Sequence, residues 1–434
     1  MAETFWSVAA ILLILALLLG HLVKQDGREL IFEFAPRRVH YVQLLAQGSI
    51  YFYWGWYWRE VYRYVPLIAA QLLFAYALDM LISSWRRGKW AAGFGLFPIV
   101  LSTNLFLWFR DDWFFFQFLM IAVALLGREF VKWTRNSRRT HIFNPSASSL
   151  FVFAVFLMAT HSTQITNGQA IAFTLSYPPH MYVEIFLVGL VVQAFFSVTL
   201  ITFSAVSVLW ALNVAYTALT GSHQFMGSNI PPLVFLGAHF LVTDPATSPR
   251  TKIGRIMFGG LYGAGVFATH GALSWSGLPI FFDKLLCIPV LNLSVQVLDW
   301  LARTHSGWFS GRIPNWKWSP RTLNLTHMIL WSSLFCGLMM SGFLAETRGA
   351  DDPNRLGREC IAQRSQICAD WIASLRVRCN ASSSQACLVL GRVLADGRAV
   401  PRDTWSAMRS FQHACDLGLS AGCTEKARAV VAAP

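Results

Sequence analysis

Charged side chains are scarce in this chain. Asp, Glu, Lys and Arg make up only 13% of its 434 residues, whereas apolar residues make up 55%. So large an apolar share excludes a soluble globular protein of this length and predicts a membrane domain over residues 1–345. Acidic residues are fewer than basic ones, and the formal net charge is +13. Most Lys and Arg lie in short loops between apolar runs, which is typical of topology-setting charge and argues against a nucleic-acid partner.

Several familiar signatures are also missing. The chain has no glycine-rich phosphate loop and no dinucleotide-binding glycine fingerprint. None of its His residues has a His or Cys partner four residues along, and Cys287 and Cys336 stand singly in apolar runs. We therefore predict no catalytic residue, no metal site and no self-contained catalytic site. No basic residue precedes Phe5, so the run 5–23 is predicted to be an uncleaved anchor rather than a signal peptide.

The apolar runs predict an all-α polytopic membrane helix bundle of about 10–12 spans, with broken half-helices. The run 230–243 is short for a span and is predicted to be a half-helix. Long basic loops alternate with loops that contain no Lys or Arg, such as 162–180. Because basic loops stay on the cytoplasmic side, this alternation predicts a multi-pass protein of the bacterial inner membrane with both termini outside. The runs are 5–23, 42–58, 64–83, 94–109, 114–132, 147–161, 181–201, 203–220, 230–243, 254–274, 279–302 and 326–344.

Two interrupted segments are the strongest functional signal. One apolar run stops at Thr243-Asp244-Pro245 and resumes at Ile256 after a short basic turn, and the stretch 141–147 (HIFNPSA) is a similar break. Broken backbone at membrane depth is tolerated only where it is buried in protein or lines a cavity, which points to an internal binding site. The alternative is two ordinary loops that start helices with Pro in the first turn. The candidate binding residues are Asn144, Pro145, His239, Thr243, Asp244 and Pro245.

These segments carry a family resemblance. Residues 227–259, with the core FLVTDPATSPRTKIGRIMFGG, resemble the RnfD/NqrB family, whose members are membrane components of the Rnf electron-transport complex and of the sodium-translocating NADH:quinone reductase. The HIFNPSA stretch is similar to the Asn-Pro-Ala segment of the same family, and Asp299 with Arg303 matches its Asp followed by a basic residue. The resemblance covers about 35–320. It implies a multi-helix fold with internal duplication, a flavin-carrying redox role and partner subunits in a membrane complex.

The sequence departs from this family in one loop. The family's redox members hold FMN as a phosphoester on a threonine of a Ser-x-Ala-Thr-type motif, and the corresponding loop 160–180 has no such motif. The resemblance therefore implies FMN or riboflavin held without a covalent bond, or a quinone, in a component of a redox-driven ion-translocating oxidoreductase. The alternative is a non-redox membrane transporter or scaffold that kept the fold and lost the cofactor. The loop's threonines are Thr160, Thr163, Thr166 and Thr174.

Three residues of the breaks suit a cofactor. Asn144 and Asp244 each precede Pro and can accept hydrogen bonds from the free backbone N–H groups of a helix start. A helix start that faces a cavity also offers N–H donors to an anion such as a flavin phosphate. His239 is expected either to hydrogen-bond a ring or a quinone carbonyl, or to be satisfied by a neighbouring backbone carbonyl.

Ionisable residues inside a membrane are costly, so each is a functional candidate by default. Asp79 is expected to pair with Arg86 or Arg87 at the end of its helix. Asp283 and Lys284 are adjacent in sequence, and adjacent side chains diverge on a helix. We therefore expect them to mark the outer mouth of that helix rather than to form a buried pair.

Residues 350–434 are polar and Arg-rich and contain six of the eight Cys. The six occur as three pairs with an eight-residue spacing, and two of these pairs repeat after 36 residues. A period near 35 predicts a small α-hairpin repeat domain. The spacing suits the disulfides Cys360–Cys368, Cys379–Cys387 and Cys415–Cys423, which imply an oxidising compartment. The alternative, a zinc site, lacks the C-x₂-C spacing.

The stretch 386–423 resembles the Sel1-like subclass of tetratricopeptide repeats. Such repeats present a protein-binding face, so the resemblance implies docking to other membrane or periplasmic subunits, with membrane lipid around the first domain. The matching positions are Ala386, Leu390, Gly391, Gly397, Ala407, Phe411, Ala414, Gly418, Gly422 and Cys423.

Overall fold

A computed structural model gives the structure of the chain. It describes residues 2–26, 31–35, 37–135, 137–176, 178, 180–221, 224–225, 229–304, 319–344, 371–372, 375–376, 379, 384–397 and 402–431. Buried apolar side chains form two clusters, one between Val8 and Leu344 and one between Trp371 and Ala414.

Helices dominate the first cluster. Their bounds are α1 (Ala2–Asp26), α2 (Arg38–Tyr57), α3 (Glu60–Arg63), α4 (Val65–Arg87), α5 (Phe97–Phe106), α6 (Phe115–Phe130), α7 (Pro145–Ala159), α8 (Gly168–Thr174), α9 (Met181–Phe196), α10 (Thr199–Thr220), α11 (Pro232–Phe240), α12 (Lys252–Trp275), α13 (Asp283–Thr304) and α14 (Pro320–Met340).

The membrane class predicted from composition is confirmed. Among the described residues, five helices are long and apolar enough to cross a membrane, namely α4, α10, α12, α13 with its preceding turn, and α14. Helix α11 has nine residues and every one of them is buried. At 1.5 Å per residue it is about 14 Å long, roughly half of the hydrocarbon thickness. The predicted half-helix in 230–243 is therefore present, and the chain is an all-α polytopic protein.

Two short two-stranded sheets accompany the helices. Strands β1 (Ile31–Phe34) and β2 (Lys89–Ala92) pair in parallel, and β3 (Lys132–Arg135) and β4 (Arg138–His141) form an antiparallel hairpin. The helical pattern did not predict either sheet. The hairpin β3–β4 leads directly into α7, so it fixes where the first broken segment starts.

Polar caps set the helix starts next to the breaks. The Asn144 side chain accepts from the backbone N–H of Ala147, with Pro145 in the first turn of α7. The Thr251 side chain likewise accepts from the N–H of Gly254 at the start of α12. Such caps satisfy N–H groups that have no partner within the helix.

Glycines allow α10 and α12 to approach closely. A Cβ on Gly259 would collide with the Ile201 carbonyl oxygen and the Ser204 hydroxyl, and a Cβ on Gly263 would lie 2.5 Å from the Ala205 carbonyl oxygen. The backbones are therefore in contact along a small-xxx-small stripe.

Asp79 does not pair with the expected arginines. Its carboxylate forms an ion pair with Arg128 of α6, whereas Arg86 and Arg87 pair with Glu129. The prediction of a partner within α4 was wrong because the last turn of α6 brings a second set of charges beside α4.

Three helices accompany the C-terminal cluster, α15 (Ser384–Asp396), α16 (Thr404–Asp416) and α17 (Ser420–Val431). The buried side chains of Trp371, Ile372, Leu375 and Cys379 pack with them. Two of the predicted disulfides, Cys379–Cys387 and Cys415–Cys423, are formed, and the second joins the end of α16 to α17 across a turn. The Cys360–Cys368 pair lies outside the described residues. Nδ1 of His413 lies 3.8 Å from Sγ of Cys379, but the two nearby sulfurs are bonded to each other rather than free to bind a metal.

The glycine contacts predict different effects for two neighbouring substitutions. Gly259→Ala is expected to destabilise the membrane part by about 1–3 kcal/mol, because a methyl group must push α10 away. Gly260→Ala is the matched control, since its Cβ would lie 3.5 Å from Val208, an ordinary contact. Thermal unfolding in detergent measures both, and equal midpoints would contradict the close packing.

The disulfide across the α16–α17 turn predicts a local loss of stability. Cys415→Ala with Cys423→Ala removes an eight-residue loop closure, which we expect to cost about 2–3 kcal/mol. Limited proteolysis of the membrane-inserted protein should then cut residues 384–431 faster while the membrane part stays intact. The control is Cys336→Ala, which removes an exposed free thiol. Unchanged cleavage in the double variant would show that the bond does not support this segment.

Candidate functional site

The two broken segments meet in space, although about a hundred residues separate them. Nδ2 of Asn144 donates to the Leu241 carbonyl oxygen at 3.0 Å. Nε2 of His141 lies 3.5 Å from Oδ2 of Asp244. The start of α7 therefore packs against the chain that follows α11, and the two breaks form one connected polar region, which we call the break junction (residues 141–147 and 241–251).

Helix α13 bridges the junction at its middle. The Oδ1 atom of Asn292 accepts from the backbone N–H of Asn144 at 3.1 Å, and its Nδ2 donates to the Thr247 carbonyl oxygen at 3.0 Å. Asn292 is almost fully buried. One amide side chain thus bonds to a backbone N–H of the first break and to a backbone carbonyl oxygen of the second. Buried backbone groups need such partners.

Asp299 bridges the junction near the end of α13. Its carboxylate accepts from the backbone N–H groups of Arg250 and Thr251 and from the Thr251 hydroxyl, at 2.8–3.2 Å. It also forms a 2.5 Å ion pair with Arg135 of β3, and both side chains are buried. Arg135 donates in addition to the Ser248 carbonyl oxygen at 2.9 Å. Asp299 therefore joins the hairpin, the turn after α11 and α13.

The Asp244 side chain accepts hydrogen bonds from residues of its own turn in the second break. Oδ1 accepts from the Ala246 N–H at 3.0 Å, and Oδ2 accepts from the Thr247 hydroxyl at 3.0 Å. The side chain thus caps its own turn.

Most of the candidate binding residues already have protein partners. Asn144 caps α7, whereas Asp244 accepts within its own turn and not at a helix start as expected. The Thr243 hydroxyl donates to the His239 carbonyl oxygen. Pro145 is buried in the first turn of α7, and Pro245 is partly buried behind Asp244. The structure brings these residues together at one junction, but their polar atoms are largely used within the protein.

His239 differs from the others. It is fully buried, its Nδ1–H donates to the Phe235 carbonyl oxygen at 2.8 Å, and its ring lies beside Trp331. A carbonyl oxygen can only accept, so in the neutral imidazole the proton sits on Nδ1 and Nε2 is an acceptor. Nε2 has no partner among the described atoms. This atom suits an N–H or O–H donor, such as a flavin ring nitrogen, a quinol or a water molecule, and does not suit an oxidised quinone carbonyl.

Thr174 is a poor site for covalent flavin. It is fully buried, and its hydroxyl accepts from Nε1 of Trp54 at 3.1 Å and donates to the Ala170 carbonyl oxygen at 2.7 Å. The Thr160 and Thr166 hydroxyls also donate to backbone carbonyls. These contacts do not fit a phosphoester at Thr174, in agreement with the missing attachment motif.

A second polar cluster lies at the other end of α13. Asp283 and Lys284 form a buried ion pair of 3.1 Å, and Nδ1 of His270 lies 2.8 Å from Asp283. The expectation that this pair merely marks an outer mouth was wrong. Both residues belong to the first turn of α13, where the long Lys284 side chain folds back to Asp283.

Two residues of the break junction were not predicted as site residues. Asn292 is a single amide within an apolar run, which is a usable but weak signal. Arg135 lies in a basic loop. From the sequence alone, an arginine that forms a buried ion pair with Asp299 looks the same as one that sets the membrane topology. Arg303, the basic residue that follows Asp299 in the family match, donates to the Asp299 backbone oxygen at 3.1 Å.

The contacts of Asp299 predict that its loss strongly lowers the free energy of unfolding. Asp299→Ala leaves Arg135 as a buried charge without its carboxylate, which typically costs about 3–5 kcal/mol. Glu60→Ala is the control, because it breaks an exposed pair with Arg63 and should cost less than about 1 kcal/mol. Unfolding of the detergent-solubilised protein measures both losses. Similar small losses would mean that Asp299 does not hold the junction.

Comparison with known proteins finds a partial similarity. A segment of 66 residues is 41% identical to the D component of the ion-translocating oxidoreductase complex of Tolumonas auensis. It spans 15% of this chain and 17% of that protein, so the chain matches far less than two thirds of the relative's length. No protein-family model matches the chain, and no solved structure matches it. The chain is therefore a polytopic membrane protein with partial similarity to a component of such a complex.

Proposed function

We propose that this protein is a membrane component of an Rnf-type or Nqr-type electron-transport assembly that translocates ions. The observation that carries the proposal is the break junction, in which two interrupted segments are tied together by Asn292 and Asp299. Interrupted helices at membrane depth are the usual framework of an ion or substrate site. The partial similarity to a component of an ion-translocating oxidoreductase complex supports the same function.

The cofactor in this proposal is FMN or riboflavin bound without a covalent link, or a quinone in its reduced form. The unpartnered Nε2 of His239 supports it, because a buried acceptor without a donor is costly and a ligand N–H or O–H would relieve that cost. When bound, such a group supplies electron transfer. His239 would orient it through one hydrogen bond, and the aromatic rings of Phe235 and Trp331 would exclude water from it.

In the same proposal the protein lies in the bacterial inner membrane with both termini in the periplasm. The C-terminal segment is a Sel1-like module that docks other subunits of the assembly. The two disulfides support an oxidising compartment for this segment, since such bonds persist outside the cytoplasm.

A second function is a non-redox membrane transporter or scaffold. The engaged Thr174 hydroxyl and the missing attachment motif favour it, because they remove the covalent flavin that the redox members of the resembled family carry.

The test is to purify the full-length protein from native membranes in mild detergent and measure three things. Acid denaturation should release flavin, or solvent extraction should release quinone, and a denaturing gel should show no fluorescent flavin band. Native mass spectrometry should show that the protein is associated with other membrane proteins of the assembly. A membrane-impermeant maleimide should label Cys415 and Cys423 on intact cells only after reduction.

Matched variants link the cofactor to its site. His239→Ala should lower flavin or quinone content by at least severalfold, whereas Asn213→Ala, a buried polar change on α10, should not. A protein that carries neither flavin nor quinone and co-purifies with no other component would contradict the redox proposal and favour the transporter or scaffold. Maleimide labelling that requires opened membranes would reverse the proposed topology.

A further inference from the structure

A cluster of charges occupies the shared end of α4 and α6. Oε2 of Glu129 lies 2.5 Å from a guanidinium nitrogen of Arg87 and 3.0 Å from Nζ of Lys132. Arg86 lies farther away, with 3.9 Å between its Nε and Oε1 of Glu129. A neighbouring ion pair on the same two helices completes the group. We define the α4–α6 charge cluster as Asp79, Arg86, Arg87, Arg128, Glu129 and Lys132.

The cluster has more cations than its carboxylates neutralise. Four basic side chains face two acidic ones, which leaves a surplus of two positive charges. The carboxylate of Glu129 is only 7% exposed, whereas the Arg86 and Arg87 side chains are 42% and 48% exposed. The negative charge is therefore inside and the surplus positive charge faces outward, which is the arrangement of an anion site.

Apolar aromatic side chains stand beside the exposed arginines. The Arg86 guanidinium lies over the Phe130 ring, 5.1 Å from its centre, and Phe130 packs against Trp85 at 6.4 Å between ring centres. Both rings are about half exposed. Arg86 and Arg87 are also the last residues of a helix long enough to span a membrane. Aromatic rings at such a helix end belong at the boundary between the acyl chains and the headgroups.

We propose that Arg86, Arg87 and Lys132 bind the phosphate of an anionic phospholipid whose acyl chains lie against Trp85 and Phe130. A phosphate diester matches the chemistry of two adjacent guanidinium groups and one ammonium group. A lipid, rather than a free anion, is the occupant because the aromatic pair adjoins the cations at the end of a spanning helix. Basic pockets at helix ends recognise acidic lipid headgroups in this way.

The test reconstitutes the full-length protein in phosphatidylcholine nanodiscs doped with phosphatidylglycerol and counts bound lipids by native mass spectrometry. The wild type should retain phosphatidylglycerol in preference to phosphatidylcholine, and high salt should weaken this preference. Arg86→Gln should lower the affinity for phosphatidylglycerol about fivefold. This variant leaves Glu129 paired with Arg87 and Lys132, so a melting curve should confirm an intact fold.

Lys89→Gln is the matched control, because Lys89 is an exposed cation nearby that is paired with Glu33 at 3.2 Å. It should leave phosphatidylglycerol binding unchanged. Equal retention in the wild type and Arg86→Gln, or equal losses in Arg86→Gln and Lys89→Gln, would overturn the site. Displacement of the lipid by millimolar glycerol phosphate would also overturn it, since the occupant would then be a free phosphate.

Discussion

The buried carboxylate of Asp299 is the interaction on which the rest of the candidate site depends. Removing a carboxylate from water is costly, and the cost is offset only where other groups satisfy its oxygens. Here a guanidinium group, two backbone N–H groups and a hydroxyl group satisfy them, and these donors come from β3 and from the turn before α12. The ionised carboxylate is therefore stable only when three separate parts of the chain are in place.

This constraint explains how the membrane part tolerates non-helical backbone. A turn after a nine-residue helix has carbonyl and N–H groups without helix partners, and much of this turn is buried away from water. Asn292 and Asp299 satisfy them from α13, and Asn144 and Asp244 complete the pattern from within the breaks. The junction thus holds α11 in position, so that His239 presents an unused acceptor among aromatic rings. In the proposed function this acceptor, rather than the satisfied caps, would bind the ligand.

The sequence was sufficient for features that follow from local pattern. The apolar runs predicted the helices, the Asn-Pro segment predicted the cap of α7, and the eight-residue cysteine spacing predicted two disulfides that the structure contains. The expectation that Asp244 caps a helix start was wrong, because Asp244 accepts within a turn and Thr251 caps α12. The sequence failed where the partner depends on tertiary structure. Arg128 and Arg86 look equivalent along the chain, yet only the packing of α4 on α6 assigns Asp79 to Arg128. The Asp283–Lys284 pair was missed because the rule that adjacent side chains diverge holds for a helix interior and not for a flexible lysine in its first turn.

If the two broken segments form one junction, a short cross-linker should join them. Cysteines replace His141 and Asp244, whose side chains are 3.5 Å apart, in a chain without Cys287 and Cys336. A short bifunctional thiol reagent applied to membranes, followed by peptide mass spectrometry, reports the link between positions 141 and 244. We expect an intramolecular link as efficient as that of a positive-control pair at positions 79 and 128. Cross-linking of the control pair without cross-linking at 141 and 244 would contradict the junction.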